Sequence, residues 1–217
     1  MKINIPNSSH KAVLWDMDGT IVDSSFYHKE AWRDTFHREG IEFTDDAYQF
    51  TQGRRNDEII RRYFEPGLSQ KQVDAIAAQK EVYFRKCIKG NIHPFPFVIE
   101  MIKSLANAEC RLAVVSSATI ENIRYITEEL GIIALFDLFI TGRDVTLGKP
   151  SPQGYLIAAA RLGVAPQNCI VIEDATAGVK AAKRGGMYCV AVTNTCPKEA
   201  LAEADIVVNR LDEINIC

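Results

Sequence analysis

The chain has 217 residues, of which 47% are hydrophobic and 24% are charged. This composition is that of an ordinary globular protein and is too apolar for a disordered chain. Its 25 basic and 28 acidic residues give a net charge of −3, which removes the electrostatic argument for binding nucleic acid or an anionic membrane. The length predicts one domain, or one core domain with an insertion.

Three features of the sequence bear on where the protein works. None of the six cysteines forms a CxxC pair, the spacing of redox motifs and zinc knuckles. The first ten residues are polar and include Pro6, which is unlike a signal peptide. No stretch approaches the roughly 18 consecutive apolar residues of a membrane span. We therefore expect a cytoplasmic protein and, because nothing marks an interface, a monomer.

Short apolar runs alternate with amphipathic segments along most of the chain. The runs predict strands at Ala12–Trp15, Leu112–Val115, Leu138–Ile140, Cys169–Ile172, Tyr188–Val192 and Ile206–Val208. They are continuously apolar, which is typical of a parallel sheet covered on both faces. Between them, helices are predicted at Phe97–Ala108, Ile120–Leu130, Pro152–Leu162 and Thr176–Arg184. This order predicts an α/β fold with a doubly wound, Rossmann-like parallel sheet.

The alternation is interrupted once, by a segment for which we predict helices and no strand. The predicted helices are Ser25–Glu39, Asn56–Phe64 and Ser69–Lys89. The spacing of Phe26, Trp32 and Phe36 predicts one buried helical face. A structureless loop of this length is improbable in a compact domain. We therefore predict a helical cap domain at residues 24–93, inserted into a core domain of residues 1–23 and 94–217, that closes the site against water.

Two acidic residues follow the first core strand, in the segment Asp16-Met17-Asp18-Gly19-Thr20. Ligands of open α/β sheets bind beyond the carboxyl ends of the strands, so Asp16 and Asp18 are expected to face that crevice. In different environments, one carboxylate would be ionised to attack or to bind a metal, and the other would hold a proton. An ordinary turn explains the motif equally well, because Asp and Gly both favour turns.

Three further strand ends carry polar residues. Ser116 and Ser117 precede a helix and indicate either an anion site or a helix cap. Lys149 lies between Gly148 and Pro150 and is either a fixed positive charge of a site or an ordinary surface lysine. The spacing of the glycines before it does not fit an ATP-binding P-loop. The acids at residues 173 and 174 suit an oxygen-only Mg²⁺ site or the first turn of a helix. Their joint occurrence at successive strand ends favours the chemical interpretation.

With these motifs the chain resembles the haloacid dehalogenase superfamily, in particular its phosphatases and β-phosphoglucomutases with a helical cap. The motif Asp-x-Asp-x-Thr falls on residues 16, 18 and 20, and the motif serine, lysine and acids fall on Ser116, Lys149, Glu173 and Asp174. The resemblance implies that Asp16 is the nucleophile and Asp18 the general acid and base. It also implies Mg²⁺ bound by Asp16, the main-chain carbonyl of Asp18, and the acidic motif. Dehalogenases of the superfamily lack the second aspartate, so Asp18 argues against dehalogenation.

The cap decides between a phosphatase and a mutase. His28 and Lys80 match cap residues that β-phosphoglucomutases place near the acid/base residue, and the resemblance implies that they bind substrate. Mutases also use a cap arginine for the second phosphate of a bisphosphate, and that position is Asn56 here. Arg54 or Arg55 would have to replace it, in a different register.

These observations predict a Mg²⁺-dependent phosphatase that hydrolyses a small phosphate monoester, such as a sugar phosphate, through an aspartyl-phosphate. The expected partner is therefore a small phosphorylated metabolite. A β-phosphoglucomutase-type phosphomutase is the alternative. A signalling protein that keeps its phosphorylated aspartate without turnover is a third hypothesis, because receiver domains share a doubly wound sheet, an aspartate and a lysine; the second aspartate and the cap argue against it.

Overall fold

The computed structural model describes residues 3–4 and 11–215 of the chain. The chain divides into two compact units, a core unit of residues 1–23 and 93–217 and a helical unit of residues 24–92. No helix within the described ranges is long and apolar enough to cross a lipid bilayer. The role of the helical unit as a cap remains a prediction.

All the strands of the described chain run parallel to their neighbours. In chain order they are β1 (Ile3–Asn4), β2 (Ala12–Trp15), β3 (Arg111–Val115), β4 (Leu138–Ile140), β5 (Cys169–Glu173), β6 (Tyr188–Val192), β7 (Ile206–Val208) and β8 (Ile214–Asn215). Strands β2 to β7 form the main sheet, in the order β4-β3-β2-β5-β6-β7. The first and last strands form a separate pair, which the sequence analysis did not predict.

The order of the strands places a crevice at the centre of the sheet. From β2 the chain winds through β3 to β4 at one edge, and then through β5 and β6 to β7 at the other. Leu14 of β2 lies opposite Ala113 of β3 on one side and Val171 of β5 on the other. The winding direction therefore reverses between β2 and β5, the place where ligands bind in open α/β sheets. The prediction of a doubly wound parallel sheet is confirmed.

The described chain has eight α-helices in addition to short 3-10 turns. They are α1 (Ser25–Arg38), α2 (Asp45–Thr51), α3 (Asn56–Tyr63), α4 (Gln70–Ile88), α5 (Val98–Asn107), α6 (Ile120–Glu129), α7 (Gln153–Leu162) and α8 (Thr176–Arg184). Helix α2 was not predicted from the sequence. It begins after Thr44, whose side-chain oxygen accepts a hydrogen bond of 3.2 Å from the Ala47 N–H. The four helices of the core unit follow the predicted pattern of alternation.

The helical unit has its own aromatic core around Phe36, which is fully buried. Its ring lies 5.0 Å from that of Phe64 and 4.9 Å from that of Phe43, between ring centroids. Trp32 belongs to the same core, but Phe26 is 64% exposed, so its predicted place on the buried face is wrong. Two residues that are six positions apart in an α-helix point about 120° away from each other around the helix axis. Phe26 therefore lies outside the face that buries Trp32.

The two ends of the insertion are hydrogen-bonded to one another within the core unit. The Asp23 N–H donates to the carbonyl of His93 at 3.1 Å, and the Phe95 N–H donates to the carbonyl of Ile21 at 3.0 Å. Val22 and Pro94 form an isolated antiparallel bridge between them. The chain thus leaves the core unit and returns to it at a single point.

Candidate active site

Strand β2 brings Asp16 to the crevice of the sheet. The Asp16 N–H continues the strand pairing by donating to the carbonyl of Ile172 at 3.0 Å, and the residue is 8% exposed. The chain then turns sharply, because the N–H groups of Thr20 and Ile21 both donate to the carbonyl of Met17. Asp18 lies in this turn and is half-buried. The end of β2 therefore presents one buried carboxylate and one that is more accessible.

Lys149 is held in the same crevice by the loop that follows β4. The side-chain oxygen of Gln153 accepts hydrogen bonds from the N–H groups of Thr146 and Leu147, at 3.0 and 2.9 Å, which fixes the loop before the lysine. The Lys149 ammonium donates to the carboxylate of Asp16, and at 2.6 Å to Oε1 of Glu173. The lysine predicted as a fixed charge is thus an ion-pair partner of two acids.

Strand β5 ends in Glu173, which is 1% exposed and fully hydrogen-bonded. Its Oε1 accepts from the Tyr155 hydroxyl at 2.7 Å, and its Oε2 accepts from the N–H groups of Asp174 and Ala175 at 3.0 and 3.2 Å. A side chain at Gly178, in the first turn of α8, would overlap this carboxylate. Glycine is therefore required there for the helix to pack against the buried acid.

Asp174 is the second acid of this strand end and is 3% exposed. Oδ1 accepts a hydrogen bond of 2.8 Å from the Thr20 hydroxyl, and Oδ2 accepts one from the hydroxyl of Thr195. Each carboxylate oxygen is therefore held by one hydroxyl donor.

The three buried acids form one cluster. One carboxylate oxygen from each of Asp16, Glu173 and Asp174 lies within 4.8 Å of the others. Burial raises the pKa of Asp16 well above its usual value, which the Lys149 charge partly offsets and the other two acids reinforce. Burial, followed by the charge of Glu173, raises the pKa of Asp174 to about 7. Burial lowers the pKa of Lys149, but the two acids it contacts outweigh this effect and hold the pKa above its usual value.

This donor set fits a divalent cation. Hard cations such as Mg²⁺ prefer carboxylate and carbonyl oxygens, and the cluster offers three carboxylates close together. Burial raises the pKa of Asp16 and of Asp174, and the charge of the neighbouring acids adds to this effect, so a bound cation would stabilise the ionised carboxylates. The Asp18 carboxylate is not one of the three, in keeping with the implied use of its main-chain oxygen.

The predicted serines lie at the end of β3. Ser116 is buried, and its hydroxyl lies 3.4 Å from Oδ2 of Asp18 and accepts a hydrogen bond of 3.1 Å from the Ala118 N–H. Ser117 is half-buried. Both serines line one cavity of the core unit together with Lys149 and Tyr155. The structure thus gathers the predicted core residues at neighbouring strand ends.

In the helical unit, His28 and Lys80 come together from α1 and α4. Nδ1 of His28 lies 2.9 Å from the Lys80 ammonium. Lys80 is 2% exposed, and its ammonium also donates a hydrogen bond of 3.0 Å to Glu81. Burial raises the pKa of Glu81, but the Lys80 charge, His28 and a 2.7 Å hydrogen bond from Asn56 bring it below its usual value.

The two predicted cap arginines lie at the start of α3. Arg55 donates two hydrogen bonds to Asp57, at 3.0 and 2.7 Å. Arg54 lies 3.6 Å from the Glu58 carboxylate and stacks 4.2 Å from the centre of the Phe50 ring. Both arginines are thus already paired with acids of their own helix.

Three residues of the core site, Tyr155, Asn194 and Thr195, were not predicted from the sequence. Tyr155 looks like one more apolar residue of α7, and its hydroxyl marks no motif. Thr195 and Asn194 follow β6, where no acid or lysine draws attention. The strand order does supply a signal, because β6 lies beside β5 and its carboxyl end reaches the same edge of the sheet.

Fold and site together define an α/β protein with an acidic, lysine-paired cluster at its strand ends, an arrangement suited to enzymes that act on phosphate esters. A family model described as haloacid dehalogenase-like hydrolase matches residues 10–186. The chain belongs to the haloacid dehalogenase-like hydrolases, and the recognition of this family from the sequence is confirmed.

Several known proteins resemble the chain over nearly its whole length. Validoxylamine A 7'-phosphate phosphatase of Streptomyces hygroscopicus subsp. limoneus is 34% identical over 94% of this chain and 96% of its own length. Hexitol phosphatase A of Escherichia coli (strain K12) is 31% identical over 95% of this chain and 94% of its own. Among solved structures, β-phosphoglucomutase from Clostridium difficile superposes with a TM-score of 0.83 at 27% identity, covering 94% of this chain and 92% of that one.

Proposed function

We propose that the protein is a Mg²⁺-dependent phosphatase that hydrolyses a small phosphate monoester of a sugar or polyol through an aspartyl-phosphate. The observation that carries this proposal is the buried Asp16 carboxylate, paired with Lys149 and grouped with Glu173 and Asp174. The relatives named as phosphatases of a phosphorylated hexitol and of validoxylamine A 7'-phosphate support the class of substrate.

In the first step, an oxygen of Asp16 forms a bond to phosphorus while the bond from phosphorus to the ester oxygen breaks. Asp18 donates its proton to that leaving oxygen. Lys149 and Ser116 hold the oxygens of the phosphoryl group, so that it stays in line between Asp16 and the leaving group. Asp16, Asp174 and the main-chain oxygen of Asp18, with Glu173 beside them, would hold Mg²⁺, which when bound would supply positive charge to offset that of the phosphoryl oxygens.

In the second step, a water molecule attacks the same phosphorus, and Asp18 accepts its proton. The bond between Asp16 and phosphorus breaks, inorganic phosphate is released, and both aspartates return to their starting states. Dividing one difficult displacement into two easier ones is the advantage of a covalent intermediate. In the helical unit, His28 and Lys80 are proposed to bind the substrate.

A phosphomutase is the second candidate, because the β-phosphoglucomutase structure is so similar in fold. The helical unit argues against it. Where a mutase arginine is expected, the Asn56 amide donates a hydrogen bond to Glu81, and Arg54 and Arg55 contact acids of their own helix. A neutral amide would not neutralise the second phosphate of a bisphosphate intermediate.

The test is a screen for phosphate release with Mg²⁺ over a panel of sugar and polyol phosphates. Wild-type protein should release inorganic phosphate, and the variants Asp16→Asn and Asp18→Asn should lose most of this activity. Conversion of β-glucose 1-phosphate to glucose 6-phosphate, dependent on a bisphosphate primer, would identify a mutase instead. A stable phosphorylated Asp16 without hydrolysis would identify a signalling protein. Full activity in both aspartate variants would refute the proposed site.

A further inference from the structure

The turn after β6, residues 193–195, contributes two side chains to the strand-end site. The Thr195 hydroxyl donates to Oδ2 of Asp174 and lies 3.1 Å from the main-chain oxygen of the same residue, the carboxylate being the closer acceptor. The Asn194 side chain donates a hydrogen bond of 2.8 Å to the carbonyl of Gly19, in the turn after β2. One turn therefore holds the ends of both strands that border the crevice.

Asp174 is fixed by hydroxyl donors on both of its oxygens, Thr20 on Oδ1 and Thr195 on Oδ2. Rotation of a carboxylate about its last bond is otherwise soft, so two donors on opposite oxygens set the plane of the group. Each carboxylate oxygen has about two lone-pair directions, and one hydrogen bond on each leaves the second direction for a cation. The hydroxyls therefore orient Asp174 without blocking it.

The approach of Thr195 depends on the absence of a side chain at Gly19. That glycine has a φ of +90°, and a Cβ there would overlap the Asp174 carboxylate and lie 2.9 Å from the Thr195 methyl carbon. The three residues are thus in close contact, and the Thr195 methyl occupies defined space beside Gly19. A substitution that keeps the shape of Thr195 isolates the effect of its hydroxyl.

We propose that Thr195 is a positioning residue that orients Asp174 for the divalent cation of the site. The inference rests on the proposed function, of which the cation is a part. Side chains that hydrogen-bond to metal ligands typically contribute 10–100-fold to metal affinity. Thr20 still holds the other oxygen of Asp174, so we expect the lower end of that range for loss of the Thr195 hydroxyl.

The experiment measures Mg²⁺ binding to the metal-free, full-length protein by isothermal titration calorimetry. Thr195→Val, which keeps the shape and loses the donor, should weaken binding about tenfold. Thr195→Ser, which keeps the donor, should bind within about twofold of wild type. The matched control is Thr193→Val in the same turn, whose hydroxyl donates to Asn209 at 3.0 Å and should leave binding unchanged. If Thr195→Val does not fold, Thr195→Ala removes the same hydroxyl, and its Mg²⁺ binding is compared with that of wild type instead.

Kinetics supply a second readout. In Thr195→Val, the Mg²⁺ concentration for half-maximal phosphate release should rise in proportion to the dissociation constant, whereas kcat at saturating Mg²⁺ should stay within about threefold of wild type. Wild-type binding that is lost in Asp174→Asn but unchanged in Thr195→Val overturns this inference alone. Equal weakening in Thr195→Ser and Thr195→Val also overturns it, because the hydroxyl would not be responsible. A wild-type protein that binds no Mg²⁺ overturns the proposed function as well.

Discussion

Replacing Lys149 by methionine removes the positive charge of the site while keeping an unbranched side chain of similar length. The ammonium contacts Asp16 and lies 2.6 Å from Glu173, with its side chain 12% exposed. A fixed group of this kind, aimed at developing charge in a partly dry site, typically contributes about 3–4 kcal/mol to lowering the barrier. We therefore expect kcat/KM for phosphate release to fall about 10²–10³-fold in Lys149→Met.

The same substitution also changes stability in a pH-dependent way. Removing one partner of a buried ion pair typically costs about 3–5 kcal/mol, because the remaining charge is left unpaired. Without the ammonium, the already raised pKa of Asp16 rises further, so the carboxyl takes up a proton at a higher pH. The loss of unfolding free energy in the metal-free variant should therefore be largest near pH 8 and smaller near pH 5, measured by urea unfolding.

A surface lysine provides the control for Lys149→Met. Lys180 lies 3.7 Å from Glu203, and both side chains are well exposed, so Lys180→Met should change stability by less than about 1 kcal/mol and leave activity unchanged. Activity of Lys149→Met within tenfold of wild type would refute the catalytic argument. A stability loss at pH 8 no greater than that of Lys180→Met would refute the electrostatic one.

The buried acids also make stability and metal binding depend on pH. The pKa of Asp174 is about 7 in the folded protein and near 3.8 in the unfolded chain, so the folded state binds the proton more tightly. The unfolding free energy of the metal-free protein should therefore fall as the pH rises from about 4 through 7. A rise over this range would contradict the assignment. For the same reason Mg²⁺ binding should release protons and weaken below pH 7 in calorimetry, and an affinity independent of pH would count against it. Tyr155→Phe, which removes the 2.7 Å hydrogen bond to Glu173, should lower the unfolding free energy by about 1.5–3 kcal/mol in urea, and an unchanged value would show that bond to be unimportant.

Much of the core fold could be predicted from the sequence because its strands are buried on both faces. The run Ala12–Trp15 is a strand with the predicted bounds, and Cys169–Glu173 is only one residue longer than predicted. Helix α2 was missed because its seven residues offer too little periodicity, although Thr44 is a good N-cap. The two-residue strands of the β1–β8 pair are too short to leave a pattern.

Some residues of the candidate site could be predicted from the sequence and others could not. Asp16 and Glu173 lie at the ends of strongly apolar runs, so the fold prediction alone brings their strand ends to one crevice. Tyr155 and Thr195 were missed because each acts through a single hydroxyl whose partner is distant in sequence. The contact between His28 and Lys80 depends on how α1 packs on α4, which no local pattern reveals.

The junction at Asp23 and His93 has a consequence for how such an enzyme changes its substrate over evolutionary time. Since the two ends of the insertion are hydrogen-bonded neighbours, a tight turn or an unrelated segment can take its place without stretching the sheet. The residues proposed for bond-making all belong to the part of the chain that such an exchange leaves untouched. If the helical unit binds the substrate as proposed, exchanging that one segment would change the specificity and leave the proposed chemistry in place.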